Sequence, residues 1–255
     1  MKEIAGARIV EHREVARATR WLVIELDEAD PPEVWAPGHI LALYVPNPAS
    51  KWVRHPYTVS WAEGTRIGIL YRVIVGGRTS PFMATLEPGE VLRIGGRFGA
   101  PIASLVPEDA PAVIGVSTGT GLGPLHGYAA RALEEAPERP VTLLAGFREE
   151  ADIALGSELT ALAGRFPALT WHPTLSRPSP GWTGLVGRVG AHVASIAVEG
   201  AHWHLVGNGA MVTDIRAGLL ARGVAQASIT TEIYFNRGTS PDPVVAAAVA
   251  GGLPR

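Results

Sequence analysis

Residues 112–124 read Ala-Val-Ile-Gly-Val-Ser-Thr-Gly-Thr-Gly-Leu-Gly-Pro, and this stretch decides the class of fold. A short apolar run, Ala112 to Val116, is followed by a glycine-rich turn and then by a helical pattern from Leu125 to Ala136. A strand, a glycine turn and a helix in this order form the setting in which dinucleotide-binding turns occur. The turn departs from the usual Gly-x-Gly-x-x-Gly pattern, because Pro124 stands where the third glycine would be. The stretch therefore predicts a nucleotide-binding strand–turn–helix unit.

The chain after this stretch alternates between strand-like and helix-like segments. Strands are predicted at 141–147, 203–206 and 229–235. Helical spacing of apolar residues occurs in two sets, Leu155, Leu159, Leu162, Phe166 and Met211, Ile215, Leu219. A second glycine turn, Gly207 to Met211, follows the strand at 203–206. This alternation indicates an α/β domain with a parallel sheet, in which two such turns can line one crevice.

The residues before this domain have the pattern of short strands and turns. Arg66 to Val75 shows the period of two that indicates a strand, and 20–26, 39–45 and 90–94 are further candidates. Many short strands joined by Gly/Pro turns predict a small antiparallel β-barrel. We therefore expect two domains, at 1–106 and 107–237. The remaining residues, 238–255, form a tail for which no secondary structure is predicted.

The composition excludes several classes of protein. The chain has 255 residues, 47% hydrophobic and 18% charged, which is enough material for two folded domains. Its net charge of −2 gives no bias toward nucleic acids or anionic membranes. The absence of cysteine excludes disulfides, thiolate metal sites and cysteine-held iron–sulfur clusters in this chain. No apolar run reaches about 18 residues and residues 1–20 carry several charges, so we expect no membrane span, no signal peptide and a cytoplasmic location.

A metal site is not expected either. His202 and His204 share one face of a predicted strand, but no third ligand lies nearby in the sequence, and a packed pair is the simpler interpretation. The acidic pair Glu149-Glu150 is interpreted as solvated charge.

The segment from Arg54 to Ser60, Arg-His-Pro-Tyr-Thr-Val-Ser, combines a cation, an aromatic ring and hydroxyl groups on one extended stretch. Alternation puts His55 and Tyr57 on the face opposite Pro56 and Thr58. A flat, anionic cofactor requires these three kinds of group, for charge pairing, stacking and hydrogen bonding. An ordinary surface strand is the alternative interpretation.

A third glycine-containing turn precedes Phe82. It reads Gly76-Gly77-Arg78-Thr79-Ser80-Pro81, and Thr79 or Ser80 suits the N-cap of a helix that has Pro81 in its first position. Such a helix would direct N–H groups toward an anion such as a pyrophosphate, although a plain turn is the alternative.

Taken in order, these motifs resemble the ferredoxin–NADP reductase superfamily over about Arg8 to Phe235. The residues that carry the resemblance are Pro37-Gly38, His55-Pro56-Tyr57-Thr58, Gly77 to Ser80, Gly95 to Gly99, Gly119 to Pro124, Gly207 to Met211 and Glu232-Ile233-Tyr234-Phe235. The resemblance implies an FAD-binding barrel joined to an NAD(P)-binding α/β domain. It also implies that nicotinamide hydride passes to the flavin N5 atom.

The resemblance also implies roles for individual residues of the flavin half. Tyr57 would pack on the flavin, and Thr58 would bond N5 and act with Glu232 and Tyr234 near the reacting rings. The other FAD-binding residues implied are Arg54, His55, Pro56, Tyr71, Arg72, Val73, Gly77, Arg78, Thr79 and Ser80. The family pattern Arg-x-Tyr-Ser appears here as His55-Pro56-Tyr57-Thr58, so a weaker anchor than arginine stands at position 55.

The nucleotide half would use both glycine turns and three arginines. The residues implied are Thr118, Gly119, Thr120, Gly121, Pro124, Arg148, Ser176, Arg177, Arg188, Gly207, Asn208 and Met211. Arg148 follows the second strand where an acidic residue would bond the ribose of NADH, so the set favours the 2′-phosphate of NADPH. The loop Trp182-Thr183-Gly184 resembles that of NADH-using members, which keeps NADH as the alternative.

The predicted function is an FAD-containing NAD(P)H oxidoreductase without an iron–sulfur cluster. Its acceptor would be a ferredoxin, a flavodoxin, an oxygenase component or a small acceptor such as a ferric chelate. A dependent electron-transfer subunit of a larger complex and a non-catalytic flavin-binding module are the alternatives.

Overall fold

The structure is a computed structural model that describes residues 3–26, 34–47, 51–196, 198–235 and 240–251. The strands are β1 Glu3–Ala16, β2 Thr19–Glu25, β3 Ile40–Asn47, β4 Lys51–Glu63, β5 Arg66–Arg72, β6 Val91–Phe98, β7 Val113–Thr118, β8 Val141–Phe147, β9 Leu169–Leu175, β10 Leu185–Val186, β11 His202–Asn208 and β12 Ile229–Phe235. The helices are α1 Thr79–Ala84, α2 Ile102–Leu105, α3 Leu122–Glu135, α4 Gly156–Arg165, α5 Gly209–Ala221 and α6 Pro243–Gly251.

The chain divides into two compact units. One contains Met1–Ser104 with Gly123–Tyr128, and the other contains Leu105–Leu122 with Ala129–Arg255. The first holds the antiparallel strands and the second holds the parallel ones.

The first unit is a closed six-stranded barrel in the order β1-β2-β5-β4-β3-β6, which confirms the predicted antiparallel barrel. Its core is formed mainly by inward-facing aliphatic residues from every strand. Leu22, Leu43, Val59, Ile69 and Ile94 are examples, all fully buried. Burial of this apolar surface is the main force that holds the barrel closed.

The structure differs from the prediction in several details of the barrel, among them the strand predicted at 90–94, which runs from Val91 to Phe98. The strand predicted to reach Val75 ends at Arg72, because its partner β2 begins at Thr19, which pairs with Arg72. Beyond that point no ladder continues, and the side chain of Val75 is 98% exposed. The third glycine turn leads into a helix of six residues whose N-cap is Arg78, not Thr79 or Ser80, and which has no side-chain cap. The long strand β1 was not predicted.

The second unit is a six-stranded parallel sheet in the order β10-β9-β8-β7-β11-β12, as the alternation predicted. The strands β8 and β12 have the predicted bounds, while α3 begins at Leu122 rather than Leu125 and so includes Pro124 in its first turn. The strand β9 was not predicted, and Pro173 lies inside it. Its neighbour β10 pairs only with Thr174 and Leu175, so the missing N–H of Pro173 costs no bond on that side.

Part of the tail is helical. In α6, which was not predicted, Val249 is fully buried against α5. The close approach depends on Gly218, since a Cβ at that position would lie 2.4 Å from the Cβ of Val249. The start of the helix is fixed by Asp214, whose Oδ1 accepts the backbone N–H of Asp242 at 2.6 Å. Residues 238, 239 and 252–255 lie outside the described part of the chain.

Candidate functional site

The strand β4 carries Arg54 to Thr58, which are among the residues predicted to bind a flavin. Its pairing with its two neighbouring strands is uneven. On one side it pairs with β3 along its length, from Lys51 with Asn47 to Thr58 with Ile40. On the other side, the pairing with β5 starts only at Val59 and continues to Glu63 within the described residues. The backbone of residues 51–58 is thus left without a β5 ladder, and this edge can accept a ligand.

The side chains of this segment alternate between two faces. Tyr57 pairs with Leu41 and His55 with Leu43, so both lie on the core-facing side of β4. Arg54, Pro56 and Thr58 lie on the opposite side, as the alternation predicted. The guanidinium carbon of Arg54 lies over the ring of Phe98, 4.9 Å from its centroid. Arg54 therefore contacts Phe98 on the face of β4 opposite the barrel core.

Two tyrosines meet at the inner edge of this segment. The ring of Tyr57 contacts that of Tyr71 edge-to-face, with centroids 6.2 Å apart. Burial raises the pKa of Tyr57 to about 12, so its hydroxyl stays protonated at neutral pH. A neutral, half-buried phenol ring is suited to stacking on a flat cofactor.

The side chain of Tyr71 is part of the barrel core. Its side chain is 1% exposed and its hydroxyl lies 2.8 Å from Nε2 of His12, whose Nδ1 lies 2.7 Å from the carbonyl oxygen of Leu86. Because the carbonyl can only accept, Nδ1–H donates to it and the Tyr71 hydroxyl donates to Nε2. The predicted contact of Tyr71 with a cofactor can therefore come only from its backbone, whereas Arg72 is exposed and Val73 half-buried.

The glycine turn before α1 is shaped like a cradle. Gly76 has a φ of +75°, and a Cβ on Gly77 would approach the carbonyl oxygen of Ile74 to 3.0 Å. The hydroxyl of Ser80 accepts the backbone N–H of Ile74 at 2.9 Å, which closes the turn. The hydroxyl of Thr79 is buried, and in the described part of the chain it has no hydrogen-bond partner. An orphaned hydroxyl beside a glycine turn and the exposed Arg78 fits a phosphate-bearing cofactor.

The first nucleotide turn, Gly119 to Gly121, forms a 3₁₀ turn between β7 and α3. Gly119 has a φ of +55°, and a Cβ on Gly121 would meet the carbonyl oxygen of Val206 at 2.7 Å. Thr120 lies inside this turn, and Pro124 follows it in the first turn of α3. The glycines thus allow the backbone to turn tightly at the carboxyl end of β7, where ligands of parallel sheets bind.

The second turn lies against the first. Gly207 has a φ of +132°, and a Cβ there would stand 2.3 Å from Oγ1 of Thr118. That hydroxyl accepts the backbone N–H of Asn208 at 3.0 Å, which ties β11 to β7. Asn208 caps α5, because its side-chain oxygen accepts the N–H groups of Ala210 and Met211. The predicted binding residues Asn208 and Met211 therefore have a structural role in starting this helix.

The three arginines predicted to bind a 2′-phosphate lie at neighbouring strand ends. Arg148 follows β8 and Arg177 follows β9, and the N–H of Arg177 donates to the carbonyl of Arg148 at 2.8 Å. Ser176, just before, donates its N–H to Phe147. Arg188 follows β10, where Gly187 donates its N–H to Leu175 at 2.7 Å. All three arginines are exposed, and none forms an ion pair within the described ranges.

Glu150, interpreted from the sequence as a solvated charge, also orders this edge of the sheet. Its Oε1 accepts both the backbone N–H and the hydroxyl of Ser179, each at 2.7 Å. These bonds, first that of the hydroxyl, hold the pKa of Glu150 below its usual value. Through these bonds, Glu150 attaches the loop after Arg177 to the carboxyl end of β8. No local sequence signal indicates this role, because the two residues are separated by the whole of α4 and β9.

The carboxyl end of β12 carries the last predicted residues. Glu232 pairs with Val206 and Phe235 with Asn208, so Glu232 and Tyr234 lie beside the second glycine turn. Both side chains are half-buried. Phe235 is 52% exposed, an unusual position for a large aromatic ring at a strand end.

The two strand histidines are structural. His202 and His204 are buried and both contact the hydroxyl of Thr230, at 2.9 and 2.8 Å. Across the described ranges, no group of three or more His, Asp or Glu side chains is arranged to hold a metal ion. None of the described helices is long and apolar enough to cross a membrane.

The structure contains two candidate half-sites: a flavin half on β4 and α1 of the barrel, and a nucleotide half at the two glycine turns of the parallel sheet. This combination is that of one class of protein, the FAD-containing NAD(P)H oxidoreductases. Residues 116–217 match the family described as the oxidoreductase NAD-binding domain. The chain is 32% identical over 196 residues to ferredoxin–NADP reductase B of Sorangium cellulosum, covering 73% of this chain and 78% of the relative. The chain thus belongs to the ferredoxin–NADP reductase superfamily.

Other similarities cover less of the protein compared. Over 172 residues, 66% of the chain, it is 30% identical to the ferredoxin–NAD(P)⁺ reductase component of naphthalene 1,2-dioxygenase/salicylate 5-hydroxylase systems of a Ralstonia species, of which it covers 51%. Among solved structures, the cytochrome P450 reductase GcoB of Amycolatopsis superposes with a TM-score of 0.79 at 26% identity. That match covers 90% of this chain and 69% of the other.

Proposed function

We propose that this chain carries electrons from NADPH, by way of FAD, to a separate acceptor, and that it does so in the cytoplasm. The flavin domain would be 1–106 and the nucleotide domain 107–237. The observation that carries the choice of NADPH is the position of Arg148, Arg177 and Arg188 at three neighbouring strand ends. Guanidinium groups bind phosphate through paired hydrogen bonds, and NADH has no 2′-phosphate to engage them.

In the flavin half, the protein binds and orients the cofactor. Bound FAD supplies the redox chemistry, since it accepts hydride from the nicotinamide and releases electrons singly or in pairs. Thr58 would hold the flavin by a hydrogen bond at N5, and Tyr57 would cover one side of the ring. Gly77 and the orphaned hydroxyl of Thr79 would receive the pyrophosphate.

In the nucleotide half, Gly119, Gly121 and Gly207 would let the backbone approach the nucleotide. Thr118 would keep the two turns in register through its bond to Asn208. Glu232 and Tyr234 would stand near the nicotinamide, because their strand end adjoins the second turn.

The acceptor would be a ferredoxin, a flavodoxin or an oxygenase component, with a ferric chelate or free flavin as small-molecule alternatives. The similar proteins include a ferredoxin–NADP reductase, a dioxygenase reductase component and a cytochrome P450 reductase, and their names support a protein acceptor. This chain contains no cysteine to hold an iron–sulfur cluster, so electrons would leave directly from FAD.

The test is an absorbance spectrum of the purified protein, followed by anaerobic titration with NADPH and, separately, with NADH. We expect a flavin band that NADPH bleaches faster than NADH. A protein that cannot take up FAD, or a bound flavin that neither nucleotide reduces, would contradict the function. Faster bleaching by NADH would contradict only the choice of nucleotide.

The nucleotide choice has a separate test in single arginine variants. Arg177→Ala should raise the KM for NADPH at least about tenfold and leave the KM for NADH unchanged, because only NADPH loses a phosphate contact. Arg131→Ala is the matched control, as this exposed arginine on α3 is paired with Glu135. Equal losses for both nucleotides would show that Arg177 does not contact a 2′-phosphate.

A further inference from the structure

His12 on β1 joins two segments of the barrel unit that are far apart in sequence. Its Nε2 accepts the hydroxyl of Tyr71 on β5 at 2.8 Å, and its Nδ1–H donates to the carbonyl oxygen of Leu86, after α1, at 2.7 Å. Both nitrogens of the half-buried ring are therefore used, one as acceptor and one as donor. His12 is not among the residues proposed to contact a cofactor, so this arrangement has a role other than direct binding.

The first of these bonds fixes the ring of Tyr71. The rings of His12 and Tyr71 also lie against each other, with centroids 6.0 Å apart and planes 24° from parallel. The ring of Tyr71 in turn meets that of Tyr57 edge-to-face, with centroids 6.2 Å apart and planes at 81°. Such pairs have preferred geometries, because the positive edge of one ring faces the negative face of the other. The position of Tyr57 is thus set by a chain of contacts that begins at His12.

The second bond fixes the segment that follows α1. Leu86 is buried in the barrel core, and its N–H donates to the carbonyl oxygen of Met83, in α1, at 3.2 Å. This short helix begins in the glycine turn proposed to receive the pyrophosphate, and Met83 is only about 6 Å along the helix from Thr79, at 1.5 Å of rise per residue. A single imidazole therefore connects the turn that would hold the phosphates with the ring that would cover the flavin.

We propose that His12 is a positioning residue of the flavin site, which holds Tyr57 and the end of α1 in place without contacting the cofactor. This inference rests on the proposed function, since it takes Tyr57 to cover one side of the flavin. An apolar residue at position 12 would leave the hydroxyl of Tyr71 and the carbonyl of Leu86 without this partner. A buried polar group without a partner is costly, so the ring of Tyr71 would shift to find another and Tyr57 would lose its neighbouring ring.

The test uses the full chain, stripped of flavin and titrated with FAD by calorimetry, followed by the fluorescence of the bound FAD. A tyrosine ring stacked on a flavin quenches its fluorescence, so the emission reports the position of Tyr57. His12→Leu should weaken FAD binding roughly 2- to 13-fold, the value of one aromatic pair, and should raise the emission of the bound flavin. Tyr71→Phe, which keeps the ring and removes only the hydroxyl, should change both readouts in the same direction.

Three comparisons separate positioning from a general loss of stability. His12→Gln keeps one donor and one acceptor, so it should bring both readouts back toward those of the wild type. Ile67→Ala removes a fully buried side chain elsewhere on β5 and should lower the urea midpoint while leaving the emission unchanged. In a Tyr57→Leu background, His12→Leu should have no further effect on the emission, because its effect passes through that ring.

Each outcome decides the inference. If His12→Leu and Tyr71→Phe lower only the urea midpoint, as Ile67→Ala does, His12 has a structural role alone, and the inference is overturned while the proposed function stands. An undiminished effect of His12→Leu in the Tyr57→Leu background would also overturn it. Should His12→Leu fail to fold, Tyr71→Phe decides the question. If the wild type binds no FAD, the proposed function and this inference both fail.

Discussion

Lowering the pH from 7 to 5 should destabilise the nucleotide unit through one buried histidine. His204 on β11 is 2% exposed, and its Nδ1 lies 2.8 Å from the hydroxyl of Thr230. Burial, together with the nearby His202, lowers the pKa of His204 to about 4. The imidazole is therefore neutral in the folded protein at every pH at which the protein is normally handled.

The size of the effect follows from proton linkage. In the unfolded chain the same imidazole has a pKa of 6.5, so below that pH the unfolded state binds a proton that the folded state does not. The contribution of His204 to the free energy of unfolding is fully present above pH 6.5. It is lost progressively as the pH falls toward about 4. Between pH 7 and 5 the loss from His204 alone is about 2 kcal/mol, or roughly a thirtyfold change in the unfolding equilibrium. Burial also lowers the pKa of His202, which adds to the loss in the same direction.

The assay is urea unfolding at pH 7 and pH 5, followed by hydrogen exchange of the β11 amides. His204→Asn removes the titrating group and keeps a polar atom near the position of Nδ1, so it should lose about 2 kcal/mol less than the wild type between the two pH values. His172→Asn, at a half-exposed position on β9, controls for the general effect of acid on carboxylates. The reasoning is refuted if the two proteins lose equal stability on acidification, whatever their stabilities at pH 7.

Three further predictions concern the half-sites. Thr58→Val should slow hydride transfer to the flavin at least about tenfold in stopped-flow measurements while FAD stays bound, and an unchanged rate would remove Thr58 from the site. Raising ionic strength should increase the KM for NADPH more than that for NADH, an effect that Arg177→Ala should suppress, because screening weakens contacts with the extra phosphate. Gly207→Ala should cost about 1–3 kcal/mol in thermal or urea unfolding beyond Gly223→Ala. Both glycines have positive φ, but a Cβ meets Oγ1 of Thr118 only at position 207 and nothing within 4 Å at 223.

The sequence was sufficient where periodicity and turn chemistry agree. The strands β8 and β12 are made mostly of aliphatic, aromatic and β-branched residues, and they were predicted with the bounds the structure has. Prediction failed where the deciding partner is distant in sequence. The apolar residues Ile74 and Val75 continue the pattern of β5, but the strand ends because β2 has no residue left to pair with them.

A partner distant in sequence also explains why α6 was not predicted. Its residues are almost all small and apolar, a composition without a helical pattern. The local start signal is short: Asp242 precedes Pro243, and its Oδ1 accepts the N–H of Val244 at 2.9 Å. What makes it a helix is a tertiary contact: Gly218 on α5 leaves room for Val249, and Asp214 accepts the N–H that begins the helix. Neither contact can be seen in the segment itself, since both partners lie more than 25 residues earlier.

The two units also differ in how far the sequence alone predicts which side chains come together. Every predicted group of the nucleotide half lies at the carboxyl end of a strand of one parallel sheet or shortly after it, and parallel strands present their carboxyl ends at one edge. Identifying strand ends in the sequence therefore also identifies neighbours, as the bond between Arg177 and Arg148 illustrates. In the barrel unit, by contrast, the guanidinium of Arg93 contacts the rings of Tyr44 and Trp52, and these three residues come from three antiparallel strands. A shift of one residue in β4 would turn Trp52 to the other face. The cluster therefore depends on the strand register, which the structure supplies and the sequence does not.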